Sequence, residues 1–478
     1  MSAGDAKFGL EISRGVVAKI AMIAIGFIGS IVFARVLGPS GYGAFYVVNA
    51  LVNVLDNPIV GWAMACKKRI SEASFPVSEA LGSGLIGAIV FPFVIIPSVY
   101  LFQRYIDLYD LSGLIIPFGI LFVSIGLFAT TNRILSARYN FSAANWADTL
   151  RSLLTTPLQL VLVSTGMGVA GMVYGLSIAT ILTVPYVLYK IDVRPTLPSR
   201  TTVSSIASYA KYSVPNGFLG SARSRIDILM LGAFLSSAAV GKYQVAVQLT
   251  MAGTFIGGVS SSGLMARVSN NWSKDNQAQI KEDVTNSLGF ASLLAIPILF
   301  GGAAMPNDLL EIVFGSKYSD AGLVLIGLAM YTVVRMQSTQ LSSTIRGMNQ
   351  PDTITKIGVV NFVLNVTVGY ILLIKYGIIG VVIATVLSEV ISYAISSYII
   401  KQKLPDLALF PSPLRHQLLS GLFMFLVVDY IHSKVNILSW KDLGLLITLG
   451  GVLYFIILLT ISKSFRNTVR GVLLDIGL

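Results

Sequence analysis

One cysteine, Cys66, and two histidines, His416 and His432, in 478 residues exclude an intramolecular disulfide and leave no Cys/His set from which to build a metal cluster. Charge is equally scarce. Asp, Glu, Lys and Arg together make up 12% of the chain, about half of what a soluble domain carries. No Walker A pattern, G-x-x-x-x-G-K-[ST], occurs, so the chain is not expected to hydrolyse ATP. The motifs Gly41-Tyr42-Gly43 and Gly82-Ser83-Gly84 are too short for a dinucleotide fingerprint and stand at the ends of apolar runs, not after a strand. Long polar segments are missing as well. No break between apolar runs could fold a separate soluble domain, which argues against a membrane glycosyltransferase or polymerase with an extramembrane catalytic loop.

What is abundant is apolar sequence: 54% of residues are hydrophobic and the mean hydropathy is +0.77. A membrane span needs about 20 mostly apolar residues. About 14 such runs fit, at 15–37, 42–65, 80–102, 113–134, 147–166, 170–189, 213–235, 243–266, 285–305, 321–345, 358–374, 378–400, 416–432 and 443–462. The expected fold class is therefore all-α, a polytopic membrane protein. The net charge of +12 does not point to nucleic acid, because the basic residues follow the spans. Alternate breaks hold most of them, among them Lys67, Lys68, Arg69, Lys190, Arg194, Arg200, Lys211 and Arg267. The opposite breaks hold only Arg104, Lys242, Lys317, Lys375, Lys434 and Lys441. The positive-inside rule then places both termini in the cytoplasm and the protein in the cell membrane. The polar start MSAGDAKFGLEISRG reads as no cleavable signal, and the first span as an integral anchor. Sequons at Asn140, Asn271 and Asn365 fall on cytoplasmic or intramembrane positions, where glycosylation is not expected.

The chain also repeats itself. "LGPSGYGAFYVV" (37–48) aligns with "LSSAAVGKYQVA" (235–246), pairing Gly43 with Gly241, and "GVAGMVYG" (168–175) aligns with "GIIGVVIA" (377–384), pairing Gly168 with Gly377 and Gly171 with Gly380. Arg138 likewise precedes Arg346 at a similar offset. The expected organisation is an N-lobe of spans 1–6 (residues 1–190), a cytoplasmic linker (191–211), a C-lobe of spans 7–12 (212–400) and a C-terminal helix pair (401–478). Six spans per copy give the two lobes one orientation, as in parallel-repeat transporters with a central cavity.

The ordered segments "FARVLGPSGYGAF" (33–45), "RIDILMLGAFLSSAAVGKYQVA" (225–246), "VFGSKYSDAGLVLIGLAM" (313–330), "RGMNQPDTITK" (346–356) and "NVTVGYILLIKYGIIGVVIATVLSEV" (365–390) resemble the Wzx-like polysaccharide flippases of the multidrug/oligosaccharidyl-lipid/polysaccharide exporter superfamily. The resemblance covers about residues 10–400, and departs from the pattern at Ser236–Ala239, where a glycine is expected. It implies a non-enzymatic flippase that moves a lipid-linked oligosaccharide, carried on a polyprenyl phosphate or pyrophosphate, from the cytoplasmic to the outer leaflet by alternating access. The product would serve surface polysaccharide or glycoprotein glycan assembly. Expected partners are that substrate, membrane lipids, and glycan-assembly glycosyltransferases or a polymerase, with a monomeric protein and no nucleic acid.

Charges within the spans are the candidate site. An ionised side chain at the membrane centre costs about 2.5–3.5 kcal/mol on insertion scales, so it faces a wet cavity or a partner. Arg223, Arg225 and Asp227 lie in the seventh span and Arg335 in the tenth. Arg223 and Asp227, at i and i+4, share a helical face and can pair; Arg225 points about 200° away. A lipid-linked glycan carries a phosphate that an arginine fork can match, which makes Arg225 and Arg335 candidate phosphate ligands, with Arg223, Lys19 and Arg35 along a cationic path. Arg223 with Asp227 also reads as a structural pair, and Arg35 as a residue snorkelling to the interface. Asp56 lies beside Asn57 and Pro58, where the proline is expected to open the helix and free carbonyls toward a cavity; it reads as a polar hinge or an ion-binding carboxylate, and Glu389 as an interhelical hydrogen-bonding group or a second such carboxylate. Together with Asp227 they are the candidates for gating or for coupling to H+ or Na+; no other cofactor and no metal is expected. Two other readings remain. A multidrug-type small-molecule exporter would want an acidic, aromatic cavity for cations, against three midplane arginines here. A peptidoglycan lipid flippase would want an arginine-rich first span, which "VVAKIAMIAIGFIGSIVFARVLG" lacks. The Gly171/Gly175 and Gly253/Gly257 spacings predict close helix packing.

Overall fold

The computed structural model describes residues 3–72, 75–105, 113–138, 140–435, 437 and 439–476, with side chains described except at 3–23, 102–105 and 472–476. Among the described residues there is no strand. The helices are α1 (Ala3–Leu55), α2 (Asn57–Ile70), α3 (Val77–Tyr105), α4 (Ile115–Ala137), α5 (Phe141–Leu162), α6 (Gly168–Ile191), α7 (Arg200–Phe234), α8 (Ser237–Thr250), α9 (Phe255–Trp272), α10 (Gln277–Phe290), α11 (Ala295–Ala304), α12 (Pro306–Phe314), α13 (Gly322–Gly347), α14 (Pro351–Lys403), α15 (Ser412–His432), α16 (Trp440–Ile461) and α17 (Lys463–Ile476). Nine helical stretches among the described residues are long and apolar enough to cross a membrane.

Some of those stretches are two spans in one. At 1.5 Å per residue a straight helix as long as α1 or α14 would reach roughly 80 Å, against about 30 Å of hydrocarbon. Each bends at a glycine with left-handed φ: Gly38 (φ 65°) in α1 and Gly377 (φ 59°) in α14. Between α5 and α6, Gly166 (φ 89°) and Gly168 (φ 53°) do the same. Every expected span thus has a helical counterpart: the two limbs of α1, the second running on into α2; α3 to α7; α8 with α9; α10 with α11; α13; both limbs of α14; α15 and α16. The polarity is inverted as lipid requires. Phe93, Ile374 and Leu445 are 76%, 68% and 72% exposed, whereas Thr180, Gln417 and Ser420 are fully buried.

By contact the chain divides into two compact units, Met1–Gly241 and Lys242–Leu478. In the first, α2 packs on α7, α4 and α3, while α6 packs on α4 and α5. One apolar core of this unit gathers Cys66, Leu81, Phe128, Leu135, Val187 and Ile206. Within the expected linker, 191–211, residues 193–199 are irregular and α7 begins at Arg200. Ser199 caps that start by accepting from Thr202 N (3.2 Å), and Thr202, Ile206 and Ala210 recur at i, i+4 and i+8 on the buried face. The helix runs on from this stretch through Pro215 into the apolar span.

In the second unit α13 is central, flanked by α9, α11 and α14, and α15 packs on α11 and α16. Between α10 and α11 the helix is broken at residues 291–294. Two buried donors answer carbonyls there. Gln417 Nε2 of α15 donates to Gly289 O (2.6 Å) and Tyr454 Oη of α16 to Leu293 O (3.1 Å), which ties the last two spans to the break.

The glycine matches of the repeat have a structural meaning within each unit. Gly168 (φ 53°, ψ −128°) and Gly377 (φ 59°, ψ −136°) adopt the same unusual conformation. Three residues on, a Cβ at Gly171 would lie 2.9 Å from Leu162 O, and one at Gly380 2.1 Å from Leu372 O. Both hairpins therefore close on the same glycine pair. The G-x-x-x-G spacings also mark close packing: Gly175 faces the Gln159 backbone, Gly253 the Ala295 backbone and Gly257 the Met336 side chain. Of the sequons, Asn140 caps α5, accepting from Ala143 N, and Asn365 is buried.

Candidate functional site

In the first unit, Arg225 sits on α7 about nine residues, or roughly 14 Å, before the helix ends at Phe234. It is half-buried, and the phenol of Tyr46 on the second limb of α1 lies within its electrostatic reach. Tyr46 Oη is in turn 3.3 Å from Tyr42 Oη, with the two rings edge-on at 5.0 Å. On the same helix Arg223 is exposed and Asp227 half-buried. Arg35 is exposed on α1, three residues before the Gly38 bend. The side chain of Lys19 lies outside the described residues.

Asp56 stands at the α1–α2 junction and is buried, 4% exposed. Pro58 has no N–H to offer Val54 O. The freed carbonyl does not open toward a cavity, as the sequence suggested: Asn57 Nδ2 donates to it at 2.9 Å and also to Asn53 O at 3.1 Å. Helix bonding runs almost unbroken through the junction, with Asp56 N donating to Val52 O and Val60 N to Asp56 O. Arg133 of α4 lies within electrostatic reach of Asp56 and of Asp148 of α5. Asp148 accepts from Asn132 Nδ2 (3.1 Å) and Arg151 Nη2 (3.4 Å), and the Arg151 guanidinium lies 4.6 Å from the Phe128 ring centroid. Asp56, Arg133, Asp148 and Arg151 thus form a cluster of alternating charge, with Asp148–Arg151 its one ion pair within 4 Å among the described residues, and sequence reasoning missed it. The available signal was Asp56 itself, a mid-span carboxylate that needed a cation.

In the second unit, Arg335 lies near the midpoint of α13, roughly 20 Å from either end. It is exposed by surface area, yet crowded by charge and aromatic groups. Its Nη1 donates to Tyr331 Oη one turn back, its guanidinium lies 5.5 Å from that ring centroid, and Glu389 and Tyr243 are within electrostatic reach. Glu389, on the second limb of α14, is buried among Thr385, Ser388 and Ser392. The first limb supplies Asn361, whose Nδ2 donates to Ser388 O (3.0 Å) and Ser392 Oγ (2.8 Å), and Asn365, whose Nδ2 donates to Thr385 Oγ1 (3.4 Å). A hydroxyl and amide network behind Arg335 fixes α13. Gln340 Nε2 donates to Gly257 O (2.9 Å), its Oε1 accepts from Ser287 Oγ (2.7 Å), and Gln337 Nε2 donates to Ser292 Oγ (2.8 Å).

Each unit thus presents a mid-helix arginine beside a tyrosine, and among the described residues neither Arg225 nor Arg335 has a carboxylate within 4 Å. A phenol orients a guanidinium without neutralising it. The charge remains available to an anion.

The fold and these groups define an all-α, multi-pass membrane protein of the transporter kind. The chain belongs to the family of polysaccharide biosynthesis proteins, whose family model matches residues 32–323. It is 28% identical over 383 residues, 80% of this chain and 81% of the relative, to a probable low-salt glycan biosynthesis flippase, Agl15, of Haloferax volcanii. It is 26% identical to the probable flippase AglR of the same organism over 95% of this chain and 96% of the relative. Among solved structures, the lipid II flippase MurJ in an inward closed conformation superposes with a TM-score of 0.78 at 16% identity, covering 95% of this chain and 99% of that one, which establishes a shared fold.

Proposed function

We propose that this protein flips a lipid-linked oligosaccharide, a glycan on a polyprenyl phosphate or pyrophosphate, from the cytoplasmic to the outer leaflet of the cell membrane in an alternating-access cycle, with both termini in the cytoplasm. The observation that carries the reading is the pair of tyrosine-flanked arginines, Arg225 and Arg335, uncompensated by a carboxylate at hydrogen-bonding range. A cation held ready at membrane depth costs several kcal/mol unless its partner is the cargo, and phosphate oxygens fit the guanidinium fork. The two relatives named as probable flippases, one of them for glycan biosynthesis, point the same way. A drug-cation exporter would gain nothing from two such arginines. Coupling to H+ or Na+ is assigned to Asp56 and Glu389, buried carboxylates that each have an arginine, Arg133 and Arg335 respectively, within electrostatic reach. The protein is proposed to act as a monomer that hands its product to glycan-assembly transferases or a polymerase.

The test is leaflet exposure of a fluorescent polyprenyl-pyrophosphate oligosaccharide in liposomes containing the purified protein, beside a fluorescent organic cation. Glycolipid flipping that disappears in Arg225→Gln and Arg335→Gln supports the reading. Cation uptake without glycolipid movement overturns it.

A further inference from the structure

A second anion-binding arrangement lies away from the mid-helix arginines, where the last turn of α2 meets the first turns of α7. A groove of about 470 Å³ opens there, lined by Arg69, Arg200, Thr201, Ser204, Ser205 and Ser208. Two guanidinium groups and the hydroxyls of four residues line it, and no carboxylate does. We propose that this groove binds a phosphate group carried on a lipid, at the membrane surface that the basic-residue asymmetry assigns to the cytoplasm.

The groove is built, not incidental. Glu79, at the start of α3, accepts from Ser199 N (2.8 Å) and Thr202 Oγ1 (2.7 Å), pinning the first turn of α7. With Thr202, Ile206 and Ala210 turned inward, Thr201, Ser204 and Ser208 fall on the open face. Arg69 is laid along that face by its own bonds, Nε to Ser205 O (3.1 Å) and Nη2 to Ser208 Oγ (2.8 Å). Its Nη1 goes to Glu72 (2.9 Å), which Lys68 also meets at 3.3 Å, and these contacts, Arg69's first, hold the Glu72 carboxyl below its ordinary range. Arg200 and Ser204 have no ion pair or side-chain hydrogen bond among the described residues. The start of a helix adds positive potential at the same spot.

A phosphate offers several acceptor oxygens and asks for a mix of cationic and hydroxyl donors, which is what this groove supplies. The surroundings point to a lipid as the carrier. Leu197, Val203 and Tyr212 stand exposed on the connector and the first turns of α7, and Tyr189 at the end of α6, apolar and aromatic groups typical of an interfacial belt. Two lipids share this chemistry: a resident anionic phospholipid and the polyprenyl-pyrophosphate carrier of the function proposed above. Only the second rests on that reading.

The experiment uses the full-length protein in phosphatidylcholine nanodiscs doped with either phosphatidic acid or polyprenyl pyrophosphate, with bound lipid counted by native mass spectrometry. The variants are Arg200→Gln and Ser204→Asp, both at exposed positions, the second adding a repelling charge without removing a structural contact. Losing one charge-assisted hydrogen bond predicts about a tenfold fall in the bound lipid. A fall for phosphatidic acid alone identifies a resident-lipid site, and a fall for polyprenyl pyrophosphate identifies a carrier site; either supports the proposal. Unchanged retention of both lipids in both variants, or an equal loss of zwitterionic phosphatidylcholine, overturns it. Because the readout is binding, a failure of flipping activity leaves this result interpretable.

Discussion

Adding a single methyl group at Gly43 tests how tightly α1 and α8 are closed on each other. A Cβ built there lies 1.7 Å from Ser237 O and 2.6 Å from Gly241 N, all backbone atoms. A carbon beside a carbonyl oxygen wants roughly 3.3 Å or more, so Gly43→Ala must part the two helices by about 1.5 Å. Overpacking of this kind costs about 1–3 kcal/mol, partly offset by up to about 1 kcal/mol of alanine's helix preference over glycine. For a unit of this size that is a loss of several degrees in melting temperature, at about 2–4 °C per kcal/mol. The assay is supplied by the sequence. Cys66, the one cysteine, is fully buried between α2 and α3, so a thiol-reactive fluorophore reports when the first unit opens on heating. Gly26→Ala is the control, since a Cβ there meets nothing within 4 Å and should leave melting unchanged or slightly raised. From the other side of the contact, a Cβ at Gly241 lies 2.1 Å from Pro39 O. The double variant Gly43→Ala/Gly241→Ala should therefore lose less than the sum of the singles, because the first methyl has already opened the space the second needs. If Gly43→Ala melts with or above Gly26→Ala, the contact does not close as described and the argument fails.

Removing the acceptor hydroxyl beside Arg335, in Tyr331→Phe, keeps the ring but frees the guanidinium to wander; glycolipid flipping should slow about fivefold, equivalent to about 1 kcal/mol, with melting unchanged. Gln417→Leu and Tyr454→Phe each strand a buried carbonyl at the α10–α11 break, and each should cost about 1–3 kcal/mol in thermal unfolding. In the first unit, Arg133→Ala leaves Asp56 buried without its cation and should sharply reduce folded yield, whereas Asp56→Asn combined with Arg133→Gln should recover much of it; a double variant as poor as the single would show the two charges are not partners.

How much of this could be read from the residues depends on what each residue had to satisfy. The spans were legible because every apolar run long enough to cross hydrocarbon becomes a helix there, having no other way to satisfy its backbone. The bends at Gly168 and Gly377 were legible as a repeat, but not as left-handed glycines, since spacing reveals similarity and not φ. Residues 200–211 misled because serine and threonine favour turns locally; Ser199 as a cap and the buried 202, 206, 210 stripe overrode that preference. The proline at 58 misled for a related reason. Its missing donor was read as an opening, while its neighbour Asn57 already carried the replacement donor.

The charged residues divide on the same principle. Tyr331 and Arg335 stand one turn apart, so their pairing was present in "YTVVR" as an i, i+4 relation. The Asp56–Arg133–Asp148–Arg151 network joins three helices distant in sequence, and no periodicity announces it. What does announce it is cost: a carboxylate in the middle of a span demands compensation, and the nearest uncommitted cation on a neighbouring helix is the place to look. The same rule, applied to Arg225 and Arg335, ends differently. Arg225 has the Tyr46 phenol within electrostatic reach, and Arg335 is bonded to the Tyr331 phenol, with Glu389 beyond 4 Å. Under the proposed function, the charges clustered around Asp148 hold the first unit together, whereas Arg225 and Arg335, each beside a tyrosine, answer an anionic cargo.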